Sequence, residues 1–134
     1  MEKLFATSHI NIFLHATTHK TIEIQWLDFV PSADLRTCLL EMLRLARQHK
    51  VQAWLADNRL IRAMRPVDLE WVGQEIMLPM SQFGVRRLSV VESQDAINRM
   101  GVNAMLAVVL PNTQLTTRYF TTLAEARTWA TQPL

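Results

Sequence analysis

The sequence predicts one α/β domain, with a mixed sheet of about five strands that starts with an antiparallel hairpin and about four helices packed on it. Near the N-terminus, two segments of alternating apolar and polar residues flank a short polar stretch, which is typical of a hairpin. Further along, 52–56 (QAWLA) is apolar on both faces and 87–91 (RLSVV) is mostly apolar, which indicates buried strands. Segments with helical periodicity separate the later strands, as in βα units. A chain of 134 residues can bury one such core, so we expect a single domain over residues 1–134.

The alternation is clearest in the second arm of the hairpin. There Ile22, Ile24 and Trp26 fall on one face, and Glu23 and Gln25 on the other. The expected strands are 10–14, 21–27, 52–56, 87–91 and 115–121, with 4–6 as a short strand before them.

Capping residues and proline set the expected helices, which are 32–50, 66–83, 93–110 and 123–131. The sequence predicts Ser32, Ser93 and Thr122 as N-caps, because their hydroxyl oxygens can accept from the free N–H groups of a first turn. Pro79 lacks an N–H and is expected to kink or shorten the second helix. Gly101 is expected to interrupt the third.

Composition excludes several classes of protein. Hydrophobic residues make up 49% of the chain and charged residues 19%, which is ordinary for a globular domain. The net charge is only +2 and no basic tract is present, so we expect no nucleic-acid partner. Cys38 is the only cysteine, which fits a reducing compartment. The sequence has no signal-peptide pattern and no apolar run of about 18 residues, so we expect a cytoplasmic protein without a transmembrane segment.

Five segments together resemble the STAS-like (SpoIIAA-like) family of small bacterial proteins, named for sulfate transporters and anti-sigma-factor antagonists. They are, in order, 26–29 (WLDF), 54–59 (WLADNR), 66–71 (PVDLEW), 86–91 (RRLSVV) and 120–129 (FTTLAEARTW). The resemblance covers nearly the whole chain and implies a STAS/SpoIIAA-like mixed sheet.

The resemblance also implies binding or regulation in place of catalysis. STAS relatives bind protein partners, and some bind nucleotides or lipids. In the anti-sigma-factor antagonists, a kinase phosphorylates a serine directly after an Asp at the end of the central strand. Asp57 matches that Asp, but Asn58 and Arg59 follow it, and the next Ser or Thr is Ser81. The sequence therefore argues against the same phosphorylation switch.

The connector after 52–56 is the predicted binding site, since ligands of α/β sheets usually meet the carboxyl ends of strands. It carries Asp57, Asn58, Arg59, Arg62 and Arg65. Arginine forks and the start of the next helix suit a phosphate or the carboxylates of a protein partner. A purely structural alternative is that Asp57 caps the turn or pairs with an arginine while the other arginines are solvated.

The second helix has an extra apolar stripe made of Val67, Trp71 and Leu78. A helix that is apolar over more than half of its circumference usually packs against two neighbours. The stripe predicts either a deeper core or a homodimer or partner surface.

A second hypothesis is a lipid or another small amphiphile held between sheet and helices. Methionine suits such a cavity because its side chain adapts to irregular shapes. The expected lining is Met77, Met80, Phe83, Met100 and Met105.

Catalytic and metal sites find little support. The only glycines are Gly73, Gly84 and Gly101, so no glycine-rich phosphate loop can be written. His9, His15 and His19 flank the predicted hairpin, but no cysteine lies near them, so we expect solvent-facing histidines. We expect no metal, no cofactor and no enzymatic activity.

Overall fold

The computed structural model describes all 134 residues and contains six strands and five α-helices. The strands are β1 Glu2–Ala6, β2 Ile10–Ala16, β3 Lys20–Trp26, β4 Ala53–Asp57, β5 Arg87–Val91 and β6 Thr116–Phe120. The helices are α1 Ser32–His49, α2 Pro66–Val72, α3 Leu78–Gln82, α4 Ala96–Val109 and α5 Leu123–Thr131. A π-turn, Gly73–Met77, joins α2 to α3, and a 3₁₀ turn, Leu110–Asn112, follows α4.

All six strands form one sheet whose spatial order is the order of the chain. β1, β2 and β3 pair antiparallel, whereas β3 to β6 pair parallel. The predicted mixed sheet with a hairpin start is confirmed, and the short first strand brings the count to six. β4 lies between β3 and β5, so the apolar segment 52–56 does form an interior strand.

The strand order explains why most helices lie on one face of the sheet. Each parallel connection moves one strand further in the same direction, so connections of the same hand place their helices on the same side. α1, the α2–α3 segment and α4 bury the main apolar core there. Its strand residues include Ile12, Ile22, Ile24, Trp54, Leu88 and Val90, and its helix residues include Leu35, Leu39, Met42, Ile76 and Leu106.

α5 packs on the opposite face, over β3 to β6. It closes a small apolar cluster of Leu55, Val91, Ala126 and Ala130. Polar groups from the strands and the hairpin turn bind the free carbonyl groups of its last turn. His19 Nε2 lies 2.8 Å from the Ala130 carbonyl oxygen, and Arg87 Nη1 donates to the Trp129 carbonyl at 3.0 Å. These bonds satisfy carbonyl groups that a helix end leaves without partners.

Pro79 produces a local widening of the helix. Because proline has no N–H, the Glu75 carbonyl loses its usual donor four residues on. The chain accommodates this with the π-turn, in which the Leu78 N–H donates to the Gly73 carbonyl, five residues back. The helical segment therefore continues through Pro79 to Gln82.

Two predicted caps are wrong and one is confirmed. Ser32 lies inside the first turn of α1, and its hydroxyl donates to Asp68 at 2.6 Å. Asp95, not Ser93, caps α4, because its carboxylate accepts from the N–H groups of Ile97 and Asn98. α4 runs through Gly101 without the expected interruption. Thr122 caps α5 as predicted.

None of the helices is both long enough and apolar enough to span a membrane.

Candidate functional site

Asp57 ends β4. As part of the predicted binding site its carboxylate was expected to be accessible, but it is buried. The residue is 1% exposed, and Arg59 closes over it. Arg59 donates to the two carboxylate oxygens from Nε and Nη2, each at 2.9 Å. The bond to Asp57 raises the pKa of the Arg59 guanidinium. Asp57 therefore pairs with an arginine, as in the structural alternative, and only the Arg59 side chain of this buried ion pair is partly accessible.

The connector after β4 is bonded to the end of β5, to the loop after it and to the start of α4. Asn58 is buried, and its N–H donates to the Val91 carbonyl at 3.0 Å. Ser93 Oγ donates to the Ile61 carbonyl at 2.6 Å, and Asn98 Nδ2 donates to the Arg62 carbonyl at 2.9 Å. Because side chains hold its main chain, the connector presents its own exposed side chains on a fixed frame.

A cleft of about 360 Å³ lies between this connector and the loop after β3. Its lining residues are Leu27, Asp28, Arg59, Leu60, Ile61, Arg62, Gln94 and Asp95. Arg62 Nε lies 3.2 Å from Asp28 Oδ1 across the cleft, and both side chains are 69% exposed. The cleft thus brings two of the predicted arginines, Arg59 and Arg62, together with carboxylates of both neighbouring loops.

Arg65 lies in a separate cluster. Its Nε donates to Asp68 at 3.3 Å, and Asp68 also accepts from Arg36 and Ser32. Burial alone would raise the pKa of Asp68, but these three bonds outweigh it, so the pKa lies below its ordinary value. Ser32 and Arg36 thus join α1 to the start of α2 through Asp68, and Arg65 binds the same carboxylate locally, away from the cleft.

The predicted apolar stripe on the second helix is divided between solvent and the chain itself. Val67 is exposed, whereas Trp71 and Leu78 are half-buried. The Arg36 guanidinium lies over the Trp71 ring, 5.1 Å from its centroid. Trp71 therefore already has a partner within the chain.

The space enclosed between sheet and helices measures about 60 Å³. Met77 and Met105 line it as expected, but Met80, Phe83 and Met100 do not. Met80 is packed in the core, and Met100 is exposed on α4. Sites for small molecules usually have about 300 Å³ or more, so a lipid would have to separate the helices from the sheet.

A third charged cluster, which the sequence does not predict, lies under α5. Glu23, on the sheet face under α5, is fully buried and accepts from Nε and Nη2 of Arg127, both at 2.8 Å. His15 Nε2 lies 2.8 Å from Glu23 Oε1. Burial would raise the pKa of Glu23, but the bonds from His15 and Arg127 outweigh it and lower the pKa. No local pattern signals this cluster, since Arg127 lies 104 positions along the chain.

The sequence predicts solvent-facing histidines in the hairpin, and this prediction is wrong for His15 and His19. His19 is buried against α5, and the His15 side chain is largely covered beside Glu23. The His9 side chain is partly exposed, and its Nε2 lies 3.6 Å from Asp34, so the three rings have three different polar neighbours.

No family model matches the sequence, and no curated protein matches it either. The structure does match a solved one, an uncharacterised protein of the DUF3478 family from Shewanella loihica PV-4 that is described as having a SpoIIAA-like fold. The two share 11% sequence identity, with a TM-score of 0.64 over 95% of this chain and 98% of the other. This chain has a SpoIIAA-like fold. The resemblance found in the sequence is therefore confirmed for the fold, while an identity this low says nothing about function.

Proposed function

We propose that this chain is a non-catalytic binding module that recognises a protein partner at the cleft between the loops after β3 and β4. The observation that carries the proposal is the composition of that surface. Exposed Asp28 and Arg62 face each other across the cleft. Exposed Phe29 follows Asp28 in the chain, and exposed Leu60 lines the cleft next to Arg59. A protein surface can match both signs of charge together with apolar side chains, as interface rims and cores do.

The same composition disfavours a free anion, the other ligand expected at this junction. Asp28 and Asp95 line the cleft beside Arg59 and Arg62, so an entering phosphate would meet two carboxylates. Two of the N–H groups of the Arg59 guanidinium already donate to Asp57 and are not free for an anion. A site of balanced charge selects a partner by its pattern of charges more than by its net charge.

The proposal of a module without catalysis is supported by the surroundings of the usual nucleophiles. Cys38 is buried in the main core, and burial raises the pKa of its thiol. Ser89 and Ser93 are buried and donate to the carbonyls of Ala126 and Ile61. Thiolate formation at Cys38 is disfavoured, and both serine protons are already bonded to carbonyl oxygens.

A regulatory role in a bacterial cytoplasm forms part of the proposal. It is supported by the sequence resemblance to small bacterial STAS-like proteins and by the single cysteine, which is buried and forms no disulfide.

Photocrosslinking in living cells tests the protein-partner proposal. A photoreactive amino acid replaces Leu60, which is 48% exposed beside the cleft, or Leu40, which is 50% exposed on α1 and serves as the matched control. We expect a discrete adduct with one protein from position 60 only. The Arg62→Glu variant should reduce that adduct by about tenfold, because it places like charges across the cleft.

Two controls separate recognition from folding in this experiment. Arg62→Glu should melt at nearly the wild-type temperature, since both partners of its ion pair are exposed. Arg44→Glu makes the same charge change on α1 and should keep the adduct. Equal adducts from positions 60 and 40, or an adduct unaffected by Arg62→Glu, would place recognition elsewhere.

Native mass spectrometry of protein purified from its own cells tests the alternative, binding of a lipid or another amphiphile. With only about 60 Å³ enclosed under the helices, we expect the mass of the bare chain. A co-purifying lipid would make the amphiphile the better-supported ligand.

A further inference from the structure

The core between sheet and helices contains two polar atoms that have no hydrogen-bond partner within the chain. They are Nε1 of Trp54, which is a donor, and Oδ1 of Asn98, which is an acceptor. Trp54 is 4% exposed and Asn98 is 2% exposed, so bulk solvent does not serve these atoms. A buried polar group without a partner costs free energy, and native structures contain few of them. The two atoms therefore indicate a place where a further hydrogen-bonding group is bound.

Both residues line the cavity of about 60 Å³ between sheet and helices. Sixteen of its 18 lining residues are hydrophobic, and the other two are Asn58 and Asn98. All of the lining residues are buried except Met64, Val102 and Met105, which are half-buried. The cavity is therefore closest to solvent between the connector after β4 and α4, where flexible methionine side chains can move aside to admit a ligand.

The chemistry of this lining selects the ligand. A buried water needs two to four polar partners, and a cavity with apolar walls tends to stay dry. A hydroxyl group on an apolar molecule needs fewer partners, because its oxygen can accept from the Trp54 N–H or its proton can go to the Asn98 oxygen while its carbon atoms contact the apolar walls. A charged ligand is disfavoured, since no charged side chain lines the cavity.

The volume of the cavity limits the size of the ligand. A cavity of about 150 Å³ holds benzene, so one of about 60 Å³ holds a molecule of about three non-hydrogen atoms. Displacement of Met64 or Met105 makes room for one more. We infer that the cavity binds a small neutral alcohol of two or three carbon atoms, whose hydroxyl oxygen accepts a hydrogen bond from Trp54 Nε1.

This site differs from the cleft of the proposed function and from a lipid site. The cleft presents exposed charges, whereas the cavity is apolar and lies under the helices, so each proposal can fail without the other. The alcohol is also far smaller than a lipid. A molecule of four non-hydrogen atoms binds with a Kd of about 0.05 mM at the tightest, so purification would remove it. The inference therefore agrees with the bare mass expected in native mass spectrometry.

NMR titration of the full chain with 1-propanol tests the site. The chain has four tryptophans and hence four indole N–H signals, of which Trp54→Phe assigns the relevant one by removing it. We expect the Trp54 N–H signal to move downfield and to saturate, because this N–H gains an acceptor. Trp129, on the opposite face of the sheet, is the internal control, and its signal should change little and without saturation. A Trp54 signal that shifts no more than that of Trp129 overturns the inference.

A matched variant and an apolar probe separate the hydrogen bond from the shape of the cavity. Trp54→Phe should weaken 1-propanol binding by about tenfold but leave the binding of xenon, which accepts no hydrogen bond, nearly unchanged. Trp26→Phe changes another buried tryptophan of the lining, whose Nε1 is not among the unpartnered buried atoms, and should weaken 1-propanol binding much less.

The methyl signals of Leu106, which also lines the cavity, follow binding in both variants, and circular dichroism checks that they fold. If the two variants weaken 1-propanol binding equally, or if Trp54→Phe weakens xenon binding as much as 1-propanol binding, the shape of the cavity and not the Trp54 N–H determines binding. Either result overturns the inference.

Discussion

The two faces of the sheet are held by different kinds of interaction. Under α1, the α2–α3 segment and α4, the strands present apolar side chains that pack into one core. Under α5, they present Thr21, Glu23, Asp57 and Ser89, which are all buried and all bonded to polar groups. Neighbouring residues of β3 illustrate the difference, since Ile24 packs in the core while Glu23 binds Arg127 on the other face.

The difference teaches that one strand can contribute to stability by two mechanisms with different sensitivities. Apolar burial depends on volume and shape and hardly on pH. A buried carboxylate depends on its partners, because an uncompensated charge in the interior is costly. On the face under α1 to α4, we therefore expect cavities to lower the stability of the protein. On the face under α5, we expect stability to depend on the bonding partners of the buried carboxylates and on pH.

The largest effect is expected from Ile24→Ala, which leaves a cavity in the main core. Ile24 is almost fully buried, so the free energy of unfolding should fall by about 3 to 4 kcal/mol. Urea unfolding at pH 7 and at pH 5 measures the loss, which should be the same at both. The matched variant Ile24→Val should cost only about 1 kcal/mol. A loss that changes strongly with pH would contradict the division between the faces.

A smaller loss, about 2 kcal/mol at pH 7, is expected from Arg127→Met, which removes two charged hydrogen bonds and leaves the buried Glu23 carboxylate bonded only to His15. In the native chain the pKa of Glu23 is lowered, so its contribution is present above the unfolded pKa and is lost as the pH falls through the folded value. Without Arg127, burial dominates and the pKa of Glu23 should rise above its ordinary value.

The sign of the pH dependence follows from that change. The folded variant then takes up a proton more readily than the unfolded chain, so the deficit relative to wild type should shrink as the pH falls from 7 to 4. Urea unfolding across this range measures it, with Arg44→Met on the surface of α1 as a control that should change little. A deficit that stays constant would mean that Glu23 is not the group responsible.

The smallest effect is expected from Ser89→Ala. The fully buried Ser89 hydroxyl donates to the Ala126 carbonyl at 3.0 Å, and its loss should cost about 1 kcal/mol without pH dependence. Thermal unfolding followed by calorimetry resolves a change of this size. No change at all would indicate that water replaces the hydroxyl at that carbonyl.

The fold could be predicted because its signals are local. Alternation in β3, the apolar segments of β4 and β5, and the Thr122 cap of α5 each lie within a few consecutive residues. Local patterns gave the wrong exposure for residues whose burial depends on groups outside the pattern. Glu23 and Asp57 look like exposed acids in sequence, but α5 covers the first and Arg59 folds over the second.

The candidate site was predictable in part for the same reason. The position of the connector follows from the end of an interior strand, and Arg59 and Arg62 do line the cleft there. Arg65 does not, because its guanidinium binds Asp68 in the first turn of α2. Asp28 was missed as a member of the site, since only the pairing of β3 with β4 brings its loop to face Arg62.

The identity of strand order and chain order has a consequence for synthesis on the ribosome. Each new strand adds to the edge formed by the strand before it, so no strand has to wait for a later one to be inserted beside it. α5 is the exception, because it emerges last and only then brings Arg127 to Glu23. Pairing of the six strands therefore needs nothing from α5, and docking of α5 is the step that brings Arg127 to the buried Glu23 carboxylate and completes the second face.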